Sequence, residues 1–448
     1  LCNLNDLSED EVNFFFSELM SGNLSEGISA AILVALKIKK PSKEEIFYAS
    51  NYLLNSLDLN STRNNNYIDL CGTGGDGKSS INVSTISSLI LSSLDVKVAK
   101  HGNRSVSSNV GSADLFEALN VSFDKDYKDA LVNIKNKNLT FLFAPNFHSS
   151  MKNVAKIRKD IATRTIFNVL GPLINPLRPS YQLLGVYDSE LLEPIAETLM
   201  LQGLNSAMVV HSFDGMDEIS ISDKTHIIEL RNDKISKYVF NPTDYGFRIG
   251  NSDKLVIKNV EESKNIFLGI IKGEIRDERR DICVINSGAG LYLTNDILKD
   301  LGSSLGSDVP IFIEGEAKEA KGKGEIFSKS FCKEEVIFLI LPNCNISTAK
   351  AFQEINPEDF KKSKYEEGFN FFEKWARLNY KEVDDSFNWL NSIKKGYLSG
   401  TGSALYTTFN SFEEARKIMD NAPKINKYFI TRSLNKSPLQ KELNKIGV

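Results

Sequence analysis

Four glycines crowd one short loop: Gly72, Gly74, Gly75 and Gly77 follow the apolar run Tyr67–Leu70 and precede a hydroxyl-rich segment. A second apolar run, Val96–Ala99, delivers Lys100, His101, Gly102, Asn103 and Arg104 into another loop. Each loop falls between a predicted strand and a predicted helix. Backbone N–H groups, hydroxyls and cations are therefore presented together, which is chemistry for a phosphate-rich ligand. One Gly-rich turn is most often only a turn. Two in close succession, each in a strand–loop–helix context, carry more weight.

Asp76, Asp217 and Glu218 have no cationic partner near them in the sequence. Asp217 and Glu218 sit in HSFDGMDEIS, just beyond the apolar run Ala207–Val210. Standing alone, this pair reads as an exposed acidic turn. Beside two phosphate loops it reads as a site for Mg2+, which prefers carboxylate oxygens, keeps several waters and bridges to phosphates. Asn103, His148, Arg158 and Arg164 complete the candidates. FAPNFHSSM places His148 just past a strand ending at Ala144, with Arg158 further along a predicted helix. A lone His or Arg is usually structural or solvated, but an acidic organic substrate needs a cation, and Arg offers a planar fork to a carboxylate. No Ser-His-Asp order and no Cys-His arrangement is evident, which argues against covalent nucleophilic catalysis.

The elements that must position these residues follow from periodicity. Ser8 with Glu11, and Ser42 with Glu45, make capping boxes ahead of apolar helical patterns. Between them Ile28, Ala31, Ile32, Ala35 and Leu36 keep a helical period. Residues 1–66 thus read as a helical domain ending in a polar linker, Asn60–Asn66. From Tyr67 to about residue 295, strands alternate with helices: Val96–Ala99, Leu139–Ala144, Leu183–Val186, Ala207–Val210 and Cys283–Ile285. That alternation predicts an α/β domain with a mostly parallel sheet flanked by helices, whose ligands gather at the carboxyl ends of strands. Residues 296–448 change texture, with short strands and glycines over 306–327, an apolar strand at Val336–Leu341, a glycine loop at Gly396–Ser403 and a helix capped by Ser411 with Glu414. They read as a separate α+β unit.

The 448 residues suit two or three domains. Hydrophobic residues make up 41% and charged residues 25%, as in an ordinary soluble protein. A net charge of −4 gives no field for nucleic acid. Five cysteines are scattered without CxxC or Cys/His ligand spacing, so a reducing cytoplasm is the expected compartment. No signal peptide and no apolar run of membrane length is evident. The chain starts at Leu1 rather than Met, as a fragment would.

GTGGDG, NVST, KHGNRSVSS, GSAD, FAPNFH, RTIFNVLGPLINP, DGMDEIS and INSGAGLYL occur in the order seen in the anthranilate phosphoribosyltransferases, which residues 4–293 resemble. The helical N-terminus is similar to that family's small α domain. Pyrimidine nucleoside phosphorylases share the fold and a Gly-rich loop but lack KHGNR. The resemblance implies transfer of a phosphoribosyl group from phosphoribosyl pyrophosphate to anthranilate, with Mg2+, by a cytoplasmic homodimer formed through the helical domain. It implies that Gly72, Gly75, Asp76, Ser80, Asn82, Val83, Ser84 and Thr85 cradle the pyrophosphate side. Lys100, His101, Gly102, Asn103, Arg104, Ser105, Val106, Ser107, Ser108 and Ser112 would complete that site. Ser84, Asp217 and Glu218 match the magnesium ligands; Gly72, Asn103 and Arg158 match the anthranilate contacts. At position 80 the family commonly has Thr, and Ser keeps the hydroxyl. The residues expected to carry the reaction are Lys100, Asn103 and Arg158, with His148 a further substrate contact. The alternatives are a pyrimidine nucleoside phosphorylase-like enzyme, and an inactive hybrid that only binds phosphoribosyl pyrophosphate.

The resemblance stops near residue 293, where further helical sequence is expected. GSDVPIF, VIFLILPNCNISTAKAF and GTGSALY instead make residues 298–446 resemble the C-terminal half of diphosphocytidyl-methylerythritol kinase, a GHMP-type kinase. Asp308 matches that family's catalytic aspartate and Gly400–Ser403 its third, glycine-rich motif. No ATP-binding loop precedes it between residues 294 and 306, so no kinase activity is expected. The join reads as an accident rather than a designed bifunctional enzyme, and the tail is expected to destabilise the protein or expose apolar patches.

Overall fold

The structure is a computed structural model that describes residues 1–57, 59, 65–104, 110–294, 306, 308–322, 326–355 and 368–437. The described residues fall into two compact units, one holding those up to residue 294 and the other those from 306 to 437. Of the predicted linker Asn60–Asn66, residues 60–64 lie outside the described residues.

Capping sets the N-terminal helices. Ser8 and Glu11 close a capping box at the head of Glu9–Ser21, and Ser42 and Glu45 do so at the head of Lys43–Asn55. Each box satisfies N–H groups that the helix itself leaves open. The middle helix, Glu26–Lys39, buries Ser29, Leu33 and Leu36. Its inward face is rotated from the one the sequence suggested, and Ile28 stays 53% exposed. Val12, Phe15, Phe16, Leu19, Ile46 and Leu53 share one core with Ile157, Phe167, Leu170 and Ile195. The first three helices are thereby packed into the same core as the α/β part.

Seven strands form the main sheet: β1 (Tyr67–Gly72), β2 (Lys97–Gly102), β3 (Leu139–Phe143), β4 (Tyr181–Gly185), β5 (Ser206–Ser212), β6 (Thr225–Arg231) and β7 (Lys234–Phe240). Their order is β3-β2-β1-β4-β5-β6-β7. Strands β1 to β5 run parallel, and β6 and β7 are added antiparallel. The parallel strands are buried along most of their length, as strands covered on both faces must be. The chain leaves β1 on one side for β2 and β3, then returns on its other side as β4. That reversal opens a crevice at the carboxyl ends of the strands.

The strand expected at Cys283–Ile285 is the middle of a helix, Glu278–Leu293, capped by Asp277. A short apolar run does not distinguish a strand from a buried helical turn. Here Ile282, Cys283, Ile285 and Asn286 are buried against the sheet layer, and Ser87 Oγ of the helix Val83–Ser93 donates to the Cys283 carbonyl at 3.2 Å. The pair β6–β7 was not anticipated; β7 is largely exposed, with a burial pattern that does not alternate along the strand.

In the second unit, the predicted strand Val336–Leu341 is β10. With β11 (Tyr397–Leu398), β12 (Leu405–Phe409) and β13 (Lys427–Arg432) it forms an antiparallel sheet of order β11-β12-β10-β13, and β8 (Lys318–Lys321) pairs with β9 (Ile326–Lys329). Helices Lys381–Asn391 and Phe412–Asp420 supply Phe387, Leu390 and Ala415 to its core. Ser411 caps the latter by accepting from the Glu414 N–H. Asp308 is exposed at the head of the short helix Val309–Glu314, with no capping hydrogen bond.

Candidate active site

The first loop is tied down where β1 ends. The Thr73 N–H donates to the Gly185 carbonyl at 2.9 Å, and the Gly74 N–H donates to Asp217 Oδ2 at 2.9 Å. Two glycines make this approach possible. A Cβ on Gly72 would stand 2.4 Å from Asp217 Oδ2, and one on Gly185 would stand 1.5 Å from the Asp217 carbonyl oxygen. Asp217 and Glu218 are thus laid across the ends of β1 and β4. The helix Val83–Ser93 starts beside them without a side-chain cap, and its Ser84 N–H donates to Glu218 Oε1 at 3.2 Å.

A cavity of about 860 Å³ opens here. Gly72, Gly75, Asp76, Ser80, Asn82, Val83, Ser84 and Thr85 line it from the first loop and helix, and Lys100, His101, Gly102, Asn103, Arg104 and Ser112 from the second. His148, Arg158, Asp217 and Glu218 line it from further along the chain. Ser105, Val106, Ser107 and Ser108 lie outside the described residues.

Lys100 is buried on β2, and its Nζ donates to the Leu70 carbonyl at 2.7 Å and to Ser84 Oγ at 3.3 Å. Burial lowers its pKa, while the nearby Asp69, Cys71 and Glu218 pull the other way. Asp69 is a residue that motif reasoning missed. It is fully buried, accepts from the His101 N–H at 3.2 Å and from Asn175 Nδ2 at 2.8 Å, and so fixes the end of β2. Burial pushes its pKa up to about 6, against the attraction of Lys100. The available signal was an Asp inside an otherwise apolar strand.

His101 and His148 are buried side by side, ring centroids 5.3 Å apart. Burial holds them down to about 3 and about 4 respectively, so both rings are neutral near pH 7. Neither Nε2 has a hydrogen-bond partner among the described residues. Asn82 Nδ2 donates to the Val110 carbonyl at 3.0 Å and its Oδ1 accepts from Ser263 Oγ at 2.7 Å, whereas Thr85 Oγ1 is buried and has no partner among the described residues.

Of the candidate arginines, Arg104 and Arg158 are held differently. Arg104 is exposed and gripped by Asp114 at 2.9 Å and Glu117 at 2.8 Å. Arg158 is half-buried, with its guanidinium 5.4 Å from the centroid of Phe167. It has no carboxylate partner among the described residues, and burial lowers its pKa. A cation left unpaired on a cavity wall suits an incoming carboxylate.

The acidic residues carry the opposite demand. Burial, then the neighbouring Asp76, pushes Asp217 up to about 7. Burial, then Asp217, raises Glu218 well above the carboxylate range. Asp76 Oδ2 is buried without a partner among the described residues. Among the described residues no three His, Cys, Asp or Glu side chains converge into a closed cage for a metal. Two crowded carboxylates beside the Ser84 hydroxyl fit Mg2+, which leaves coordination positions for water and phosphate.

Residues 64–306 match the glycosyl transferase family, a/b domain, and residues 1–56 match its helical bundle domain. Residues 348–427 match the C-terminal domain of the GHMP kinases. The anthranilate phosphoribosyltransferase of Thermoanaerobacter sp. (strain X514) is 44% identical over 297 residues, 66% of this chain and 87% of that one. That of Methanobrevibacter smithii is 42% identical over 319 residues, 71% of this chain and 94% of that one. Among solved structures, anthranilate phosphoribosyltransferase from Thermus thermophilus superposes with a TM-score of 0.62 at 33% identity, covering 66% of this chain and 88% of that one. The Saccharomyces cerevisiae enzyme in complex with PRPP (phosphoribosyl pyrophosphate) and Mg superposes with a TM-score of 0.57 at 27% identity, covering 64% and 83%.

Proposed function

The chain belongs to the anthranilate phosphoribosyltransferases, and from that premise we propose that it transfers the phosphoribosyl group of phosphoribosyl pyrophosphate to anthranilate, a step of tryptophan biosynthesis. The products are N-(5-phosphoribosyl)anthranilate and pyrophosphate. The observation that carries the reading is Arg158, without a carboxylate partner among the described residues, on the wall of the cavity that both glycine-bearing loops and the acidic pair also line. Arg158 takes the anthranilate carboxylate. The first loop, beside the N-terminus of Val83–Ser93, takes the phosphates.

Cleavage of the ribose C1–O bond leaves oxocarbenium character on C1 and negative charge on pyrophosphate. The anthranilate amine already has a lone pair for the new C1–N bond, so the chain has to align the two substrates and stabilise the departing charge. Lys100 serves that charge from β2, and Asn103 and Arg158 orient the acceptor. Ser84, Asp217 and Glu218 would hold Mg2+, which when bound supplies neutralising charge to the pyrophosphate.

The functional form is a cytoplasmic homodimer. Phe14, Ile28 and Ile38, exposed at 69%, 53% and 72% on the N-terminal helices, support a partner copy there. The test of the activity is a choice of substrates. The chain should consume anthranilate with phosphoribosyl pyrophosphate and leave uridine with phosphate untouched. Phosphorolysis of uridine without anthranilate turnover would replace this reading with a nucleoside phosphorylase.

A further inference from the structure

Arg164 belongs to none of the roles assigned above, yet it lines the cavity in the turn between the helices Lys152–Ile161 and Ile166–Leu170. Its guanidinium carbon lies 4.0 Å from the centroid of the Tyr187 ring, and its Nη2 donates to the Gly75 carbonyl. A Cβ on Gly75 would meet Arg164 Nε at 3.2 Å, so the side chain lies directly against the loop backbone. Tyr187 is itself anchored, its N–H donating to Thr73 Oγ1 at 3.1 Å.

These contacts make a chain of ties along the first loop. Thr73 is held by Gly185 and Gly74 by Asp217, and Gly75 is held by Arg164. Within 76–78 the Lys78 N–H donates locally to Asp76 Oδ1 at 3.1 Å, and the next main-chain ties to a distant segment come at Ser79, whose carbonyl accepts from Ile257, and at Ile81, which donates to Leu255. Arg164 is therefore the last anchor before the segment 76–78. The peptide plane is rigid, so fixing the Gly75 carbonyl also fixes the direction in which the Asp76 N–H is offered. A planar guanidinium can stack on an aromatic ring and donate in its own plane, which an ammonium cannot. Unlike Arg158, Arg164 gives one donor, Nη2, to the protein backbone.

We propose that Arg164, stacked on Tyr187, is a positioning residue that holds the first glycine loop in the shape that binds phosphoribosyl pyrophosphate; this rests on the reading of the cavity given above. The test is calorimetric titration of phosphoribosyl pyrophosphate with Mg2+ into the full-length chain, together with the KM of each substrate. Arg164→Ala should weaken phosphoribosyl pyrophosphate by roughly tenfold, raising its KM while the KM for anthranilate stays unchanged. Tyr187→Leu should act in the same direction but less, and Arg164→Lys should fail to restore the wild-type affinity. A merely structural residue would move both KM values and the thermal midpoint together. Unchanged affinity in Arg164→Ala, or full recovery in Arg164→Lys, overturns the proposal while a binding wild type leaves the cavity reading intact. A wild-type chain that takes up no phosphoribosyl pyrophosphate overturns both.

Discussion

Gly72 and Asp217 meet at the end of β1, where the space a Gly72 side chain would need is filled by the Asp217 carboxylate, 2.4 Å from the missing Cβ. The absence of a side chain at one residue sets the position of the other. Gly72→Ala should therefore displace the carboxylate and raise the Mg2+ concentration needed for half-maximal turnover by roughly tenfold to a hundredfold, the usual cost of an ångström-scale misplacement. A magnesium titration of turnover checks this, and an unchanged curve would separate Gly72 from the acidic pair.

Asp217 and Glu218 should answer for the metal response itself. Burial raises both pKa values, with Asp76 adding to it at Asp217 and Asp217 adding to it at Glu218, and a bound cation favours the charged forms. The double change Asp217→Asn with Glu218→Gln should abolish the magnesium dependence of turnover along with most of the activity. Retention of the wild-type metal response would remove both residues as ligands.

Arg158→Ala should weaken anthranilate by roughly tenfold to a hundredfold, the range for losing a hydrogen-bonded charge, and leave phosphoribosyl pyrophosphate affinity almost unchanged. Separate titrations of the two substrates distinguish the arms. Equal losses would take Arg158 out of the anthranilate site.

His148 gives a pH signature. Its folded pKa is held by burial to about 4, against 6.5 for an ordinary histidine. Between those values the unfolded chain binds a proton that the folded chain does not, so the contribution of His148 is present above pH 6.5 and is lost as pH falls toward 4. Asp69 and Asp217, both raised, act in the opposite sense, so the comparison must be between the wild type and His148→Gln. The stability advantage of the wild type should shrink by on the order of 2 kcal/mol between about pH 7.5 and about pH 5. Denaturant unfolding at both pH values measures it, and parallel pH dependence of the two proteins would contradict a neutral, buried His148.

The glycine loops were legible because each lies between an apolar strand and a helix, and β1 to β5 begin or end close to the predicted limits. The capping boxes at Ser8 and Ser42 were legible for a similar reason, since cap and acceptor are local in sequence. Cys283–Ile285 was misread because an apolar triplet is buried equally well in a strand or a helix. The strand β7 was missed because only Ile235 and Phe240 of its side chains pack against the cores, too few to make an alternating pattern. Within the site, the roles of Asp69 and Arg164 could not be read ahead of the fold. Asp69 works through a main-chain N–H of β2 and the amide of Asn175, and Arg164 through a carbonyl and an aromatic ring distant in sequence.

The most direct measurement is the loss of anthranilate fluorescence in the presence of the purified full-length chain, phosphoribosyl pyrophosphate and Mg2+, repeated with each component left out. The account predicts consumption only when all are present. Fluorescence that stays constant in the complete mixture, or that falls without phosphoribosyl pyrophosphate, would contradict it.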